Sequence, residues 1–111
     1  MKYEELEEKV IQWAKDRKII PNATPTAQLL KFFSEAGELS DAEAKRDMPE
    51  IVDAVGDIQV CLINYCELLG IKMTDCLESA YNQIKDRRGT LTPEGIFITR
   101  MSGHQPPEEA R

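Results

Sequence analysis

The fold of this chain is decided by residues 51–66, whose sequence is IVDAVGDIQVCLINYC. From Ile51 onward, large apolar residues recur at alternating steps of four and three, which is the period of an α-helix. They are Ile51, Val55, Ile58, Leu62, Tyr65 and Leu69. Further apolar residues cover much of the remaining surface of the helix: Val52, Val60, Ile63 and Cys66. A helix that is apolar on most sides is either central or shared between subunits, so the pattern predicts such a helix from about Pro49 to Gly70.

Three other stretches have the helical period, and each has its own start or stop signal. The first helix is predicted over about residues 2–18 and is closed by Pro21. The second is predicted over about residues 24–44, because Thr24 is a good cap and Pro25 suits the first turn. The fourth is predicted from Thr74, as N-cap, to about Arg88. The apolar residues expected to face inward are Tyr3, Leu6, Val10 and Trp13, then Leu29, Phe32, Ala36 and Leu39, then Leu77, Ala80, Tyr81 and Ile84.

These four helices predict an all-α fold, a four-helix bundle in one domain that covers residues 1–100. Residues 90–100 are expected to form a short extended arm or a packed tail, and residues 101–111 a flexible tail. An overly apolar third helix in so short a chain predicts self-association as a homodimer or homotetramer, because the contact would bury the surplus apolar face.

The composition argues against several classes of function. The chain has 14 Lys and Arg against 20 Asp and Glu, a net charge of −6, which disfavours nucleic-acid polymers and anionic membranes as partners. No apolar run approaches the roughly 20 residues of a membrane span, and the acidic N-terminus lacks the apolar core of a signal peptide, so we expect a cytoplasmic protein. The three cysteines are expected to be small buried residues, and His104 an idle residue of the tail.

The acidic residues of the second and third helices are grouped on common faces. Glu35 and Glu38 are three residues apart and lie about 60° apart on the surface of a helix. On the third helix, Glu50, Asp53 and Asp57 lie at i, i+3 and i+7 and fall within about 60° of one another on the helix surface. Asp57 lies inside the apolar stretch, where a lone carboxylate would be costly to desolvate or would take up a proton.

Two acidic pairs on facing helices repel each other unless a cation joins them. Their all-oxygen chemistry suits Mg²⁺, or Mn²⁺, rather than Zn²⁺. We therefore predict a metal site whose ligands are Glu35, Glu38, Asp53 and Asp57. For Glu50, a first-turn acid that answers the helix dipole is an equal alternative to a ligand. Other acids are interpreted as solvated surface residues: Glu4, Glu5, Glu7, Glu8 and Asp41.

The fourth helix carries the opposite charge. Asn82, Lys85 and Arg88 recur at three-residue spacing, with Arg87 beside them. Cations are common at the C-terminal end of a helix because they interact favourably with the helix dipole. This effect accounts for the positions of Arg87 and Arg88 better than for those of Asn82 and Lys85. A metal site beside such a cluster suits a polyphosphate, because the ion bridges phosphate oxygens while the cations neutralise the remaining charge.

Three segments together resemble the MazG-like nucleoside triphosphate pyrophosphohydrolases. They are KFFSEAGEL at residues 31–39, DAVGDI at residues 53–58 and NQIKDRRG at residues 82–89. The stretch WAKDR at residues 13–17 is also similar to the opening helix of small members, so the similarity covers about residues 3–100. The resemblance implies an all-α hydrolase that cleaves a nucleoside triphosphate to the monophosphate and pyrophosphate, with Mg²⁺ held by an E-x-x-E pair and an E-x-x-D pair on adjacent helices.

The resemblance also implies roles for single residues. Glu35 and Glu38 match the first acidic pair, and Asp57 matches the last acid of the second. Ala54 stands where the family usually has Glu, so either Asp53 substitutes for it or an E-x-x-D pair starts at residue 50. The residues that match the phosphate-facing helix are Asn82, Lys85 and Arg88, with Lys31 as a further candidate.

In the implied mechanism Glu35 or Glu38 is the catalytic residue that positions or deprotonates the attacking water, while Lys85 and Arg88 neutralise charge on the leaving pyrophosphate. Trp13 either stacks on the base or packs in the core, and core packing is favoured. The base and the sugar stay open, and hydrolysis of phosphoribosyl-ATP or deoxyuridine triphosphate would use the same chemistry.

Two alternatives from other classes stay open as well. Ser34, where many members carry an additional Glu, and Ala54 favour a non-catalytic regulator that binds a nucleotide or a metal ion. The apolar third helix favours a purely structural helical oligomer.

Overall fold

The computed structural model describes residues 1–99 and divides the chain into two compact units, one of Met1–Cys76 and one that begins at Leu77. The predicted all-α class is confirmed, since four helices form most of the described chain. They are α1 (Tyr3–Asp16), α2 (Pro25–Lys45), α3 (Met48–Leu68) and α4 (Met73–Ile84). Two short strands follow, β1 (Gly89–Leu91) and β2 (Phe97–Thr99). The predicted bundle arrangement and its single domain stay predictions, and the predicted tail lies outside the described residues.

Side-chain caps set the starts of α2 and α3. The Thr24 hydroxyl accepts a hydrogen bond from the Ala27 N–H at 3.1 Å, with Pro25 in the first turn, as the sequence predicts. The Asp47 carboxylate accepts one from the Glu50 N–H at 3.2 Å. Only Arg46, in the left-handed region with φ 55°, and Asp47 separate the two helices. So short a link makes α2 and α3 antiparallel neighbours.

The core of the first unit lies where α3 packs against α2 and α1. Its buried apolar residues are Ile11, Ala14, Ala42, Ala54, Cys61, Ile63 and Cys66. Three of the seven are alanines and two are cysteines, so the helices approach closely over small side chains. Within the described chain no large side chain is fully buried.

The buried face of α1 differs from the predicted one. Tyr3, Leu6 and Trp13 are 40%, 45% and 43% exposed, so the predicted apolar stripe was wrong. The buried residues of α1 are instead Glu7, Ile11 and Ala14.

Glu7 was predicted to be a solvated acid, and that was also wrong, because it is only 3% exposed. Its carboxylate accepts hydrogen bonds from the backbone N–H of Thr74 at 3.3 Å and from the Thr74 hydroxyl at 3.4 Å. Thr74 is therefore not the cap of α4 but its second residue, and a carboxylate of α1 satisfies its otherwise free N–H.

Several apolar positions of α3 and α4 are also more exposed than predicted. Val55 of α3 is 41% exposed, and Leu69, which follows the last residue of α3, is 49% exposed. No residue of α4 is buried, and Leu77, Tyr81 and Ile84, predicted to face inward, are 67%, 59% and 50% exposed. The cysteine prediction holds for two residues of three, since Cys61 and Cys66 are buried and Cys76 is exposed.

The second unit has its own turn chemistry. Helix α4 ends at Ile84, so Lys85 and Arg88 lie beyond the helix that was predicted to carry them. The predicted arm is an antiparallel hairpin of β1 and β2, in which Gly89 pairs with Thr99 and Leu91 with Phe97. Gly89 is required there, because a Cβ atom would collide with the backbone carbonyl of Ile98.

Among the described residues, no single helix combines the length and the hydropathy of a membrane span. Only α3 and α4 taken together across their bend reach that length and composition.

The variant Glu7→Ala is expected to lower the free energy of unfolding by about 1–3 kcal/mol, because it leaves the partly buried N–H of Thr74 without a partner. Urea denaturation followed by circular dichroism measures the change. Glu8→Ala is the matched control, since the exposed Glu8 carboxylate has only an ion pair with Lys72 at 3.2 Å, worth less than about 1 kcal/mol. Equal losses in the two variants would contradict the capping role of Glu7.

Candidate functional site

The antiparallel packing of α2 and α3 brings their acidic faces together. Ala42 and Ala54, which are 1% and 4% exposed, let the two helix backbones approach closely. The carboxylates on both sides of this contact then have little room to avoid one another. The predicted ligands Glu35, Glu38, Asp53 and Asp57 all lie on these two helices.

Glu35 is the buried member of this group, with 7% of its surface exposed. One carboxylate oxygen, Oε1, is 3.5 Å from the Lys31 ammonium one turn earlier on α2. The other oxygen, Oε2, is buried and has no hydrogen-bond partner among the described residues. A buried carboxylate oxygen without a partner is costly.

Glu38 lies against Glu35. The pKa of Glu38 is raised above its ordinary value of 4.5. The main cause is a hydrogen bond with the Glu35 carboxylate, which forms only when Glu38 is protonated. The second cause is repulsion by the negative charge of Glu35. Asp57 on α3 contributes a weaker repulsion in the same direction. When both carboxylates are ionised, a cation between them would relieve the repulsion that the shared proton relieves otherwise.

Asp53 and Asp57 form the corresponding pair on α3. Partial burial of Asp57 and the charges of Asp53 and Glu35 raise the pKa of Asp57 above its ordinary value of 3.8. Lys31 opposes this shift. The four carboxylates are thus coupled both along each helix and between the helices, while their role as metal ligands stays a prediction.

A cleft of about 280 Å³ opens beside these pairs. Its lining residues are Glu38, Asp41, Lys45, Glu50, Asp53 and Ala54. Four carboxylates and one ammonium give the lining a charge of 1 − 4 = −3. An anionic ligand would enter such a cleft only together with cations.

Carboxylate oxygens, which form the acidic cluster at this site, are ligands that Mg²⁺ accepts. Within residues 1–99 no three His, Cys, Asp or Glu side chains are already arranged as a metal cage. Mg²⁺, however, is usually held by one or two carboxylates and completes its shell with water and substrate phosphates. Glu35, with its unpartnered oxygen, and its neighbour Glu38 are two carboxylates of the type that such a partial site requires.

Some of the other predicted site residues lie close to the carboxylates, and others lie elsewhere in the chain. Lys31 lies beside Glu35 of the acidic cluster, and Glu50 lines the cleft. Asn82, Lys85 and Arg88 belong to the second unit, so their approach to the carboxylates stays a prediction. Trp13 is half-exposed on α1, with the Arg17 guanidinium 4.6 Å from its ring centre, so the favoured packing in the core was wrong.

Sequence reasoning missed two residues of the cleft, Asp41 and Lys45. Asp41 follows Glu38 by three residues and Lys45 follows Asp41 by four, so helical spacing alone places them on the face of the acidic pair. It also missed Asn64 of α3, which is 3% exposed and whose side-chain oxygen has no partner among the described residues. A buried polar residue at position 64 of an apolar helix was the available signal.

Comparison with known proteins finds a weak similarity to a phage protein over part of the chain. Over 60 residues, 54% of this chain, the sequence is 35% identical to an uncharacterized 18.2 kDa protein in the rep-hol intergenic region of Haemophilus phage HP1 (strain HP1c1). The chain spans 37% of the length of that protein. No family model matches the chain. No solved structure matches it.

The variant Asp57→Asn is expected to stabilise the metal-free protein at pH 7 by about 0.5 kcal/mol, because it removes a repelled carboxylate whose charge solvent partly screens. The pKa of Asp57 is raised on folding, so the stability of the unaltered protein falls as the pH rises above about 4. The gain should therefore be present at neutral pH and absent near about pH 3.

Thermal unfolding in EDTA at the two pH values measures this gain. Glu78→Gln is the matched control, since it neutralises an exposed acid of α4 and should change the midpoint little at either pH. A destabilised Asp57→Asn protein at pH 7 would show that this carboxylate has a structural partner instead of repelling neighbours.

Proposed function

We propose that this protein is a Mg²⁺-dependent nucleoside triphosphate pyrophosphohydrolase, with Mn²⁺ as an alternative ion and a helical bundle of the MazG-like type. The observation that carries the proposal is the buried, unpartnered oxygen of Glu35 at the centre of two coupled carboxylate pairs. Acids held this close against their own repulsion are typical of functional sites that hold a cation. The resemblance of residues 31–39, 53–58 and 82–89 supplies the reaction class.

The size of the cleft supports a phosphate ligand. At about 280 Å³ it lies at the lower end of the range for small-molecule pockets, so it suits the polyphosphate of a nucleotide better than the whole molecule. Lys45 lines the cleft and can bind a phosphate oxygen directly. Lys31, Asn82, Lys85 and Arg88 are the further proposed phosphate ligands, and Trp13, whose ring is half-exposed, is the proposed stacking partner of the base.

When bound, the divalent ion would polarise the phosphate and orient it for attack by water. Glu35 would hold the ion, because its carboxylate is buried and cannot reach bulk water. Glu38 is exposed and lines the cleft, so it is the better placed of the two to position an attacking water and accept its proton. Asp53 and Asp57 would complete the ligand set from α3, with Glu50 at the edge of the cleft.

Ala54 favours a second candidate function. It is 4% exposed and packs between α2 and α3, where related proteins usually carry a ligand glutamate. A site with one ligand fewer can bind a metal ion and a nucleotide without hydrolysing the nucleotide. The second candidate is therefore a nucleotide-binding regulator.

Incubation with Mg²⁺ and a panel of nucleoside triphosphates tests the proposal. We expect monophosphate and pyrophosphate in equimolar amounts, separated by ion-exchange chromatography. Glu38→Gln and Asp57→Asn should each lower kcat by at least about a hundredfold, the range for a general base or a metal ligand, whereas Glu78→Gln should not change it. Release of orthophosphate would contradict the reaction class, and binding without turnover would favour the regulator.

We also propose that the functional form is a homodimer or a homotetramer. On α2, Leu30 and Phe33 are 66% and 62% exposed, and on α3 Met48 and Val52 are 63% and 65% exposed. The described chain has no fully buried large side chain, so as a monomer it lacks the core that normally stabilises a domain of this size. A second copy that presents the same stripes would supply that core through a symmetric contact.

Val52→Asp is expected to weaken self-association at least about tenfold, because it would bury a charge in the apolar contact. Analytical ultracentrifugation over a concentration series measures the dissociation constant. Leu6→Asp is the control, since it places the same charge at an exposed apolar position of α1. A monomeric unaltered protein at all concentrations would overturn the proposal of self-association.

A further inference from the structure

Lys31 is the cation that the structure places beside the carboxylate cluster. Its Nζ atom is 3.5 Å from Glu35 Oε1. Its charge also acts on Glu38 and Asp57, where it lowers the pKa of each carboxyl group against the repulsion of its neighbours. In the described part of the chain, the other ion pairs lie elsewhere and join Arg46 to Glu43 and Lys72 to Glu8 and Glu67.

The two members of the Lys31–Glu35 pair differ in their freedom to move. The side chain of Lys31 is 63% exposed, whereas that of Glu35 is 10% exposed. The ammonium group can therefore leave the cluster without losing buried contacts, but the carboxylate cannot follow it. Glu35 keeps one oxygen against Lys31, and its other oxygen has no hydrogen-bond partner within residues 1–99.

One ammonium group is too little charge for this cluster. It interacts with three coupled carboxylates, those of Glu35, Glu38 and Asp57, and a divalent ion at the same place would interact twice as strongly with each of them. Mg²⁺ or Mn²⁺ would therefore compete with Lys31 for Glu35. Once displaced, the ammonium group would keep three hydrogen-bond donors at the edge of the site, where the phosphates of a metal-bound nucleotide would lie.

We propose that Lys31 is the resident counter-ion of this cluster, that a divalent ion displaces it from Glu35, and that the freed ammonium group then binds the phosphate of the substrate. This inference rests on the proposed function and assigns Lys31 two successive partners. It predicts opposite effects for the loss of the lysine: metal binds more tightly without nucleotide, and nucleotide binds more weakly in the presence of metal. A lysine that only binds phosphate would produce the second effect without the first.

Binding of Mn²⁺ alone is the primary test, with free Mn²⁺ measured by electron paramagnetic resonance. Lys31→Met should bind Mn²⁺ about two- to fivefold more tightly than the unaltered protein, as expected from the loss of one partly exposed competing ion pair. Lys45→Met is the matched control, because Lys45 lines the cleft but has no carboxylate partner among residues 1–99. It should change the affinity less, since it removes the same charge without removing a competitor.

Enzyme kinetics tests whether the freed Lys31 ammonium group binds the phosphate of the substrate. Lys31→Met should raise KM for a nucleoside triphosphate with little change in kcat, and Lys31→Arg should restore both KM and the affinity for Mn²⁺ toward their unaltered values. If the unaltered protein binds no Mn²⁺ at millimolar concentration, the proposed function itself fails. If it binds Mn²⁺ and Lys31→Met binds no more tightly than Lys45→Met, the displacement of Lys31 is overturned while the proposed function stands.

Discussion

The packing of α2 against α3, which holds carboxylates of the two helices near one another, is the constraint on which the candidate site depends. The two helices are joined by only two residues, Arg46 and Asp47, and they pack over the small side chains of Ala42 and Ala54. That packing holds Glu35 close to Glu38 and Asp57 and leaves one oxygen of Glu35 buried and without a partner. The proposed metal site rests on this buried acid at position 35.

The same small residues explain both the site and the weakness of the core. Alanine at residues 14, 42 and 54 lets the helices approach closely, which brings the acids together. Alanine also buries little apolar area, and the larger apolar residues Leu30, Phe33 and Val52 remain exposed. The acidic cluster and the exposed apolar residues lie at different places on the first unit, so the proposed metal binding and the proposed self-association would each stabilise the fold separately.

The polar contacts of α1 show how a buried charge can instead serve the fold. Glu7 is as deeply buried as Glu35, yet both of its oxygens accept hydrogen bonds from Thr74 at the start of α4. Lys72 adds ion pairs to Glu8 of α1 and Glu67 of α3. Full satisfaction at Glu7 and an unpartnered oxygen at Glu35 separate a structural acid from a candidate ligand by geometry, which residue type alone cannot do.

Local signals in the sequence were sufficient for the four helices, for the cap at Thr24 and for the grouping of acids on α2 and α3, because helical spacing decides which residues share a face. They failed for the buried face of α1, where Glu7 replaces Leu6, since the partner that satisfies Glu7 lies 67 residues further along the chain. They also failed for the C-terminal end of α4 and for Asp41 and Lys45, whose place at the cleft depends on how α2 packs against α3. The sequence by itself determined which elements form and where the charges lie along them. Only the tertiary structure decided which charges are buried and which are paired, because burial and pairing depend on contacts between residues far apart in the chain.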